Sequence, residues 1–223
     1  MPARKSTGAA GKRPACPPSG DPAALADAIA ALRAGELIVY PTETFYALGG
    51  DPFSPAALER LFAAKGRAET KTVALIAADS HSALELAREV SPIARRLAQR
   101  FWPGALTLVL PARADLPAAI VGAGGGVGVR VSAHRVARAL AAGVGHPITA
   151  TSANQAGAAP ARTLDEARAA FGGKVKVFLE GGALDAAAPS TVVAIEDETW
   201  RIIRAGAIGK TQLVAALRAE VLK

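Results

Sequence analysis

The sequence predicts an α/β (α+β) protein in which helices flank a mixed β-sheet. Three observations carry this prediction. Helical and strand-like stretches are intermixed along the chain without strict alternation, which favours a mixed sheet over a purely parallel one. Hydrophobic residues make up 51% of the 223 residues, so there is enough apolar material for a sizeable core. No internal repeat and no Pro/Ser-rich linker divides residues 21–223, which predicts a single domain.

Capping residues and helical periodicity predict the helices. Asp21-Pro22 places a cap and a proline at a helix start, and Gly35 ends that helix. Thr163 and Glu166 form the sequence signature of a capping box. The final helix is predicted after Thr211, acting as N-cap. The others cover about 55–62, 79–88, 92–101, 134–142 and 163–171.

Short apolar runs bounded by turn residues predict the strands. The first run, 37–40, stops at Pro41 because proline cannot continue a hydrogen-bonded ladder. The last two runs are separated by a polar turn at 196–199, which favours an antiparallel pair. The predicted strands are 37–40, 73–77, 106–110, 127–131, 147–151, 175–179, 191–195 and 200–204.

The positive charge is concentrated at the start of the chain. The formal net charge is +7, and residues 1–20 carry four cations and no acid, which leaves 7 − 4 = +3 for the rest. This segment is rich in Gly, Pro, Ser and Ala without periodicity, so residues 1–20 are predicted to be a disordered basic tail and 21–223 the folded domain. The excess charge indicates an anionic partner.

Several function classes are excluded or disfavoured. One cysteine, Cys16, cannot form an internal disulfide framework or a cysteine-based zinc site. Residues 206–211 and 122–126 lack the glycine spacing of phosphate-binding and dinucleotide-binding loops, and the three histidines lack metal-ligand spacing, so no metal site is assigned. No apolar run reaches about 18 residues and no secretory signal is visible. We therefore expect no membrane association and a cytoplasmic location.

Polar clusters at the ends of predicted strands are the candidate site, because α/β proteins bind ligands there. Each has a plainer interpretation: turn chemistry for the threonines, a solvated helix end for the basic cluster, and a structural ion pair for Arg130 within its apolar strand. The clusters are Thr42-Glu43-Thr44, Lys65 with Arg67 and Lys71, Thr149 to Asn154, Ser190-Thr191 with Arg204, and Arg130.

Together these stretches resemble the YrdC-like threonylcarbamoyl-AMP synthase family. The resemblance rests on seven motifs in family order between about residues 21 and 220: PTETFYALG (41–49), KGR with Lys71 (65–71), FWPGALT (101–107), VGVRV (127–131), TSAN with Gly157 (151–157), STVV (190–193) and RIIRAG (201–206). It implies a twisted mixed sheet around a wide basic concave cavity. It also implies the single-domain form of the family, without the extra C-terminal domain of longer members.

The resemblance implies that L-threonine, bicarbonate or CO2 and ATP are converted to threonylcarbamoyl-AMP and diphosphate, for modification of the adenosine next to the anticodon of tRNA. It implies Mg²⁺ held mainly by ATP and protein partners in tRNA modification, and it allows direct tRNA binding. The residues carried over are Lys65 and Arg67 for catalysis, Thr44, Arg130 and Ser190 for threonine, and Lys65, Arg67, Lys71, Ala150, Ser152, Asn154 and Arg204 for ATP.

The chain departs from the family pattern at several positions. Glu43 stands where Asp is usual, Ala47 where Gly is usual, and Gly126 where Thr is frequent. Ile76 replaces a common histidine, so no histidine contact is carried over. Two other functions remain open: a non-catalytic RNA-binding protein, disfavoured by an aromatic content of 4%, and a carbamoyl-adenylate-using maturation protein, whose relatives carry this fold among other domains.

Overall fold

In a computed structural model the described residues are 21–66 and 73–218. The predicted residues Arg67 and Lys71 and the predicted tail at 1–20 lie outside them. Over the described ranges the helices are α1 Pro22–Arg33, α2 Pro55–Lys65, α3 Ser80–Leu84, α4 Pro92–Phe101, α5 Arg135–Val144, α6 Leu164–Phe171 and α7 Lys210–Arg218, with a 3₁₀ turn at Ala118–Ile120. The strands are β1 Ile38–Tyr40, β2 Ala47–Gly49, β3 Leu75–Ala77, β4 Leu106–Pro111, β5 Gly126–Val131, β6 Ile148–Thr149, β7 Thr151–Ser152, β8 Val177–Phe178, β9 Thr191–Glu196 and β10 Thr199–Arg204.

Local chemistry sets the helix starts as predicted. Asp21, Ser54 and Ser91 accept hydrogen bonds from backbone N–H groups of the first turns of α1, α2 and α4. The capping box of Thr163 and Glu166 opens α6. The prediction for Thr211 is wrong, since α7 already includes Lys210.

Two mixed sheets replace the single sheet that the sequence predicts. The six-stranded sheet has the order β10-β9-β4-β5-β3-β6, and the four-stranded sheet has the order β7-β2-β1-β8. Both contain parallel and antiparallel neighbours, for example β4 parallel to β9 and antiparallel to β5. The predicted pairing of the last two strands, β9 and β10, is confirmed. The predicted mixed α/β class is therefore correct, but the division of the strands into two sheets was not predicted from the sequence.

The predicted strand at 147–151 is split between the two sheets. Ile148 pairs with Ile76 of β3, whereas Thr151 pairs with Leu48 of β2. Ala150 lies between them and donates its N–H to the carbonyl of Ala74 over 2.7 Å. This crossing brings the β6–β7 segment to the junction of the sheets.

Helix α3 is shorter than the predicted helix at 79–88. After its capped start at Asp79, Ala87 forms a β-bridge with Ala112 and Arg88 donates its N–H to the carbonyl of Pro111 over 2.8 Å. Pairing with the end of β4 therefore replaces the last turn of the helix.

The core has two parts. The larger one lies around β4, β5 and β9 and includes Leu106, Leu108 and Val129, each 0% exposed. The smaller one, which includes Leu32 and Leu140, lies under α1 and α5. None of the helices within 21–66 and 73–218 has the length and apolar character that a membrane span requires.

Candidate active site

A cavity of about 840 Å³ opens over one face of the six-stranded sheet. Strand periodicity builds this face: Gly126, Gly128 and Arg130 of β5 line the cavity, while the alternating Val127 and Val129 are buried in the core. The two glycines have no side chain that would project into the cavity, which leaves room for a ligand. The charged side chains that line the cavity are Arg88, Arg130, Arg201, Arg204, Glu196 and Asp197, so cations outnumber acids as the resemblance implied.

Arg130 is both a cavity residue and a member of an ion pair. Its Nη1 donates to Oε1 of Glu43 over 2.5 Å, and the Oγ of Ser132 donates to the other carboxylate oxygen, Oε2. The Arg130 side chain is 8% exposed and that of Glu43 is 18% exposed. The sequence left open whether Arg130 forms a structural ion pair or faces a ligand. Both hold for its position, since the paired guanidinium also lines the cavity.

The turn after β1 presents Thr44 to the cavity. Thr42 organises this turn: its Oγ1 accepts from the N–H groups of Thr44 and Phe45, each over 3.2 Å, and donates to the carbonyl of Phe45 over 2.7 Å. The two threonine hydroxyls are 3.1 Å apart. Turn chemistry therefore explains Thr42 and positions Thr44.

Ser190 directly precedes β9 and has hydrogen-bond partners on two neighbouring strands. Arg204 of β10 donates to its carbonyl over 2.9 Å and to its Oγ over 3.0 Å. The hydroxyl of Thr107 on β4 lies 3.0 Å from the same Oγ. Partial burial lowers the pKa of Arg204, and the positive charge of Arg130 lowers it further. The two guanidinium groups therefore repel each other, and since both line the cavity, a bound anion would be favourable there.

Lys65 is 1% exposed and binds the segment that carries Ser152 of the cavity lining. Its Nζ donates to the carbonyls of Ser152 and Asn154 over 2.7 and 2.5 Å and to Oδ1 of Asn154 over 3.2 Å. Ser152 Oγ donates to the same Oδ1 over 2.5 Å. Lys65 thus anchors the β7 segment from the end of α2.

The cavity brings together most of the described residues that the sequence selected, although their roles remain predictions. Those that line it are Thr44, Arg130, Ala150, Ser152, Ser190 and Arg204. Lys65 and Asn154 do not belong to its described lining. Thr107 was missed, although a lone hydroxyl among the apolar residues of β4 was a usable signal. Phe45 and Arg88 of the lining were also not selected.

The two mixed sheets and the cavity lined by four arginines define an α/β protein whose cavity suits a small anionic ligand. The chain belongs to the Sua5/YciO/YrdC family, because residues 30–206 match the family model, which is described as "Telomere recombination".

Relatives of known name support this assignment. The "Threonylcarbamoyl-AMP synthase" of Halorhodospira halophila is 40% identical over 169 residues, covering 74% of this chain and 87% of that protein. The "Putative threonylcarbamoyl-AMP synthase" of Mycobacterium leprae is 37% identical over 193 residues, covering 86% and 87%. The crystal structure of P. abyssi Sua5 complexed with L-threonine has a TM-score of 0.83 and 32% identity, and the match covers 87% of this chain and 57% of that one. This chain therefore spans little more than half the length of that relative.

Proposed function

We propose that the chain is an L-threonylcarbamoyl-AMP synthase, a nucleotidyltransferase that serves threonylcarbamoyladenosine formation in tRNA. The observation that carries the proposal is the arrangement of Arg130 and Arg204 with the hydroxyls of Thr44 and Ser190 around one cavity. The names of the relatives and the threonine complex of P. abyssi Sua5 support it.

The proposed reaction balances without a protein nucleophile. The threonine amine adds to CO2 and releases a proton, which gives a carbamate. A carbamate oxygen then attacks the α-phosphorus of ATP, and the bond to diphosphate breaks. The protein contributes positioning and neutralisation of charge. Arg130 would bind the threonine carboxylate in a bidentate manner, with Thr44 beside the amino acid and Ser190 beside the carbamate.

The nucleotide is proposed to lie along the β6–β7 segment. Ser152 and the backbone at Ala150 line the cavity there, and Arg204 approaches from β10. Arg67 and Lys71 are proposed to contact the phosphates. Lys65 and Asn154 are proposed to support the nucleotide site, since Lys65 donates to the carbonyls on both sides of Ala153.

Magnesium is proposed to enter with the nucleotide. Phosphate oxygens are the preferred ligands of Mg²⁺, which usually retains several waters in such sites. Within the residues that the structure describes, no group of three or more His, Cys, Asp or Glu side chains could hold a metal ion. The ion is therefore proposed to be held mainly by the nucleotide itself.

The wider setting is also a proposal. The enzyme would act in the cytoplasm, where ATP and tRNA are available, and pass its labile product to partner proteins of tRNA modification. Catalysis is assigned to residues 21–223, so deletion of residues 1–20 should leave adenylate synthesis intact. A large loss of synthesis in that deletion would contradict the assignment.

The deciding experiment supplies labelled bicarbonate and ATP to the purified protein with and without L-threonine. Threonine-dependent formation of labelled adenylate and diphosphate is expected, and Arg67→Ala should abolish it. Arg113→Ala, which alters an exposed ion pair, is the matched control and should retain full turnover. Binding of tRNA without product would favour the RNA-binding alternative. Adenylate formation from carbamoyl phosphate instead of threonine and bicarbonate would favour the maturation alternative.

A further inference from the structure

Glu43 connects the two sheets at the edge of the cavity. It lies in the turn after β1 of the four-stranded sheet, and its partners are Arg130 of β5 in the six-stranded sheet and Ser132, which directly follows β5. Arg130 holds Oε1 and Ser132 holds Oε2. Residues 130 and 132 are two apart, so their side chains point to the same side of an extended segment. The carboxylate of Glu43 is therefore bound by two side chains, Arg130 and Ser132, from the same side of this segment.

The bond to Glu43 restricts the orientation of the Arg130 guanidinium. A guanidinium carries five N–H donors in a rigid fork, and the bond from Nη1 to Glu43 engages one of them. The Arg130 side chain forms no other hydrogen bond with the described residues. Because Arg130 also lines the cavity, the rest of the fork is available to a ligand in an orientation that Glu43 fixes.

Glu43 also adjusts the charge of the site. Arg130 and Arg204 place two cations near each other, and the carboxylate of Glu43 compensates one of them. Without Glu43 the two cations would repel each other, and Arg130 would be left as a nearly buried charge without its partner.

We propose that Glu43, itself held by Ser132, is the positioning residue that orients Arg130 for a substrate carboxylate. This inference rests on the proposed function, in which that carboxylate belongs to L-threonine. Glu43 acts through Arg130 and is not assigned to the reacting atoms.

The test compares Glu43→Ala, Glu43→Gln and Ser132→Ala with the unaltered protein. The measurements are KM for L-threonine, KM for ATP, and the preference in binding for L-threonine over L-threoninol, which has an alcohol in place of the carboxylate. Glu43→Ala should raise KM for threonine roughly tenfold or more and lower the preference by a similar factor, because truncating one partner of a buried charged pair disturbs the other. KM for ATP should change less than about twofold.

The conservative variants separate orientation from mere stability. Glu43→Gln keeps an oxygen acceptor for Arg130 and should recover much of the threonine affinity. Ser132→Ala removes one of the two bonds to Glu43 and should give an intermediate KM. Asp115→Ala, which breaks the exposed pair with Arg113, is the control and should change neither KM.

Three results would overturn the inference. An unchanged KM for threonine in Glu43→Ala is the first. An equal rise in both KM values with an unchanged preference for threonine over threoninol is the second, because it would show that Glu43 only stabilises the contact between the two sheets. If Glu43→Ala does not fold, full threonine affinity in both Glu43→Gln and Ser132→Ala is the third. Absence of threonine binding in the unaltered protein would instead show that the proposed function itself fails.

Discussion

The hydroxyl oxygens of Thr107 and Ser190 lie 3.0 Å apart in the cavity lining. Thr107 belongs to β4, which runs parallel to β9, and Ser190 directly precedes β9. Both residues are nearly buried, at 3% and 6% exposure. Since Arg204 also donates to Ser190 Oγ, this hydroxyl has one charged and one neutral neighbour that together restrict its rotation.

Thr107→Val should weaken the proposed reaction without unfolding the protein. Valine keeps the shape of threonine but removes the hydroxyl, so Ser190 Oγ loses a partner worth about 1 kcal/mol. We expect kcat/KM for threonine to fall roughly fivefold, as measured by diphosphate release, and the free energy of urea unfolding to fall by no more than about 1 kcal/mol. Thr107→Ser should retain most of the activity. Equal losses in both variants would contradict a role for the hydroxyl.

The helices could be predicted because their signals are local. The caps at Ser54 and Ser91 and the box of Thr163 and Glu166 depend only on residues within one turn. The division of the strands between two sheets depends on contacts that are distant in sequence. The break at Ala150 depends on which strands stand beside β6 and β7, and β2 has only three residues, too few to show a two-residue period.

The residues of the candidate site could also be predicted only in part. Hydroxyls and arginines at strand ends could be selected from the sequence, but their partners could not. The pairing of Glu43 with Arg130 joins residues 87 positions apart. Lys65 belongs to a basic cluster typical of an exposed helix end, yet the fold turns its ammonium towards the carbonyls of Ser152 and Asn154.

Lys65→Met should destabilise the protein and loosen the β7 segment. Methionine can fill the space of the lysine stem, but the carbonyls of Ser152 and Asn154 would lose their shared donor. An unsatisfied buried acceptor costs about 1–3 kcal/mol, so we expect a loss of about 2–4 kcal/mol in urea unfolding. Affinity for a non-hydrolysable ATP analogue should fall as well.

The exposed Lys210 at the start of α7 provides the matched control. Lys210→Met should change the free energy of unfolding by no more than about 0.5 kcal/mol. Similar stability in the Lys65 and Lys210 variants would show that the buried ammonium contributes no net support.

Gly206→Ala should disturb the backbone that carries Ser190. A Cβ at residue 206 would lie 2.3 Å from the carbonyl oxygen of Pro189 and 2.6 Å from the carbonyl carbon of Ser190. The obstructing atoms are backbone and cannot rotate away, so a loss of about 1–3 kcal/mol is expected. Turnover should fall further than stability alone explains. Gly173→Ala, with open space around its Cβ, should be close to neutral, and equal behaviour of the two variants would refute the argument.

His134 makes the stability of the protein depend on pH on the acid side. It is the N-cap of α5, where its Nδ1 accepts from the N–H of Val136 over 3.3 Å. Burial lowers the pKa of His134 below its ordinary value of 6.5, the negative charge of Glu43 partly offsets this, and the positive charge of Arg138 adds to the lowering. Protonation also destroys the cap, because a protonated Nδ1 can no longer accept.

The unfolded chain therefore binds this proton more readily than the folded chain. The contribution of His134 to stability is complete above pH 6.5 and is lost as the pH falls through its lowered pKa. His134→Asn keeps a capping acceptor but cannot titrate. We expect its urea midpoint to match the unaltered protein at pH 8 and to decline less steeply below pH 6.5. Parallel declines in the two proteins would show that another group controls the acid side.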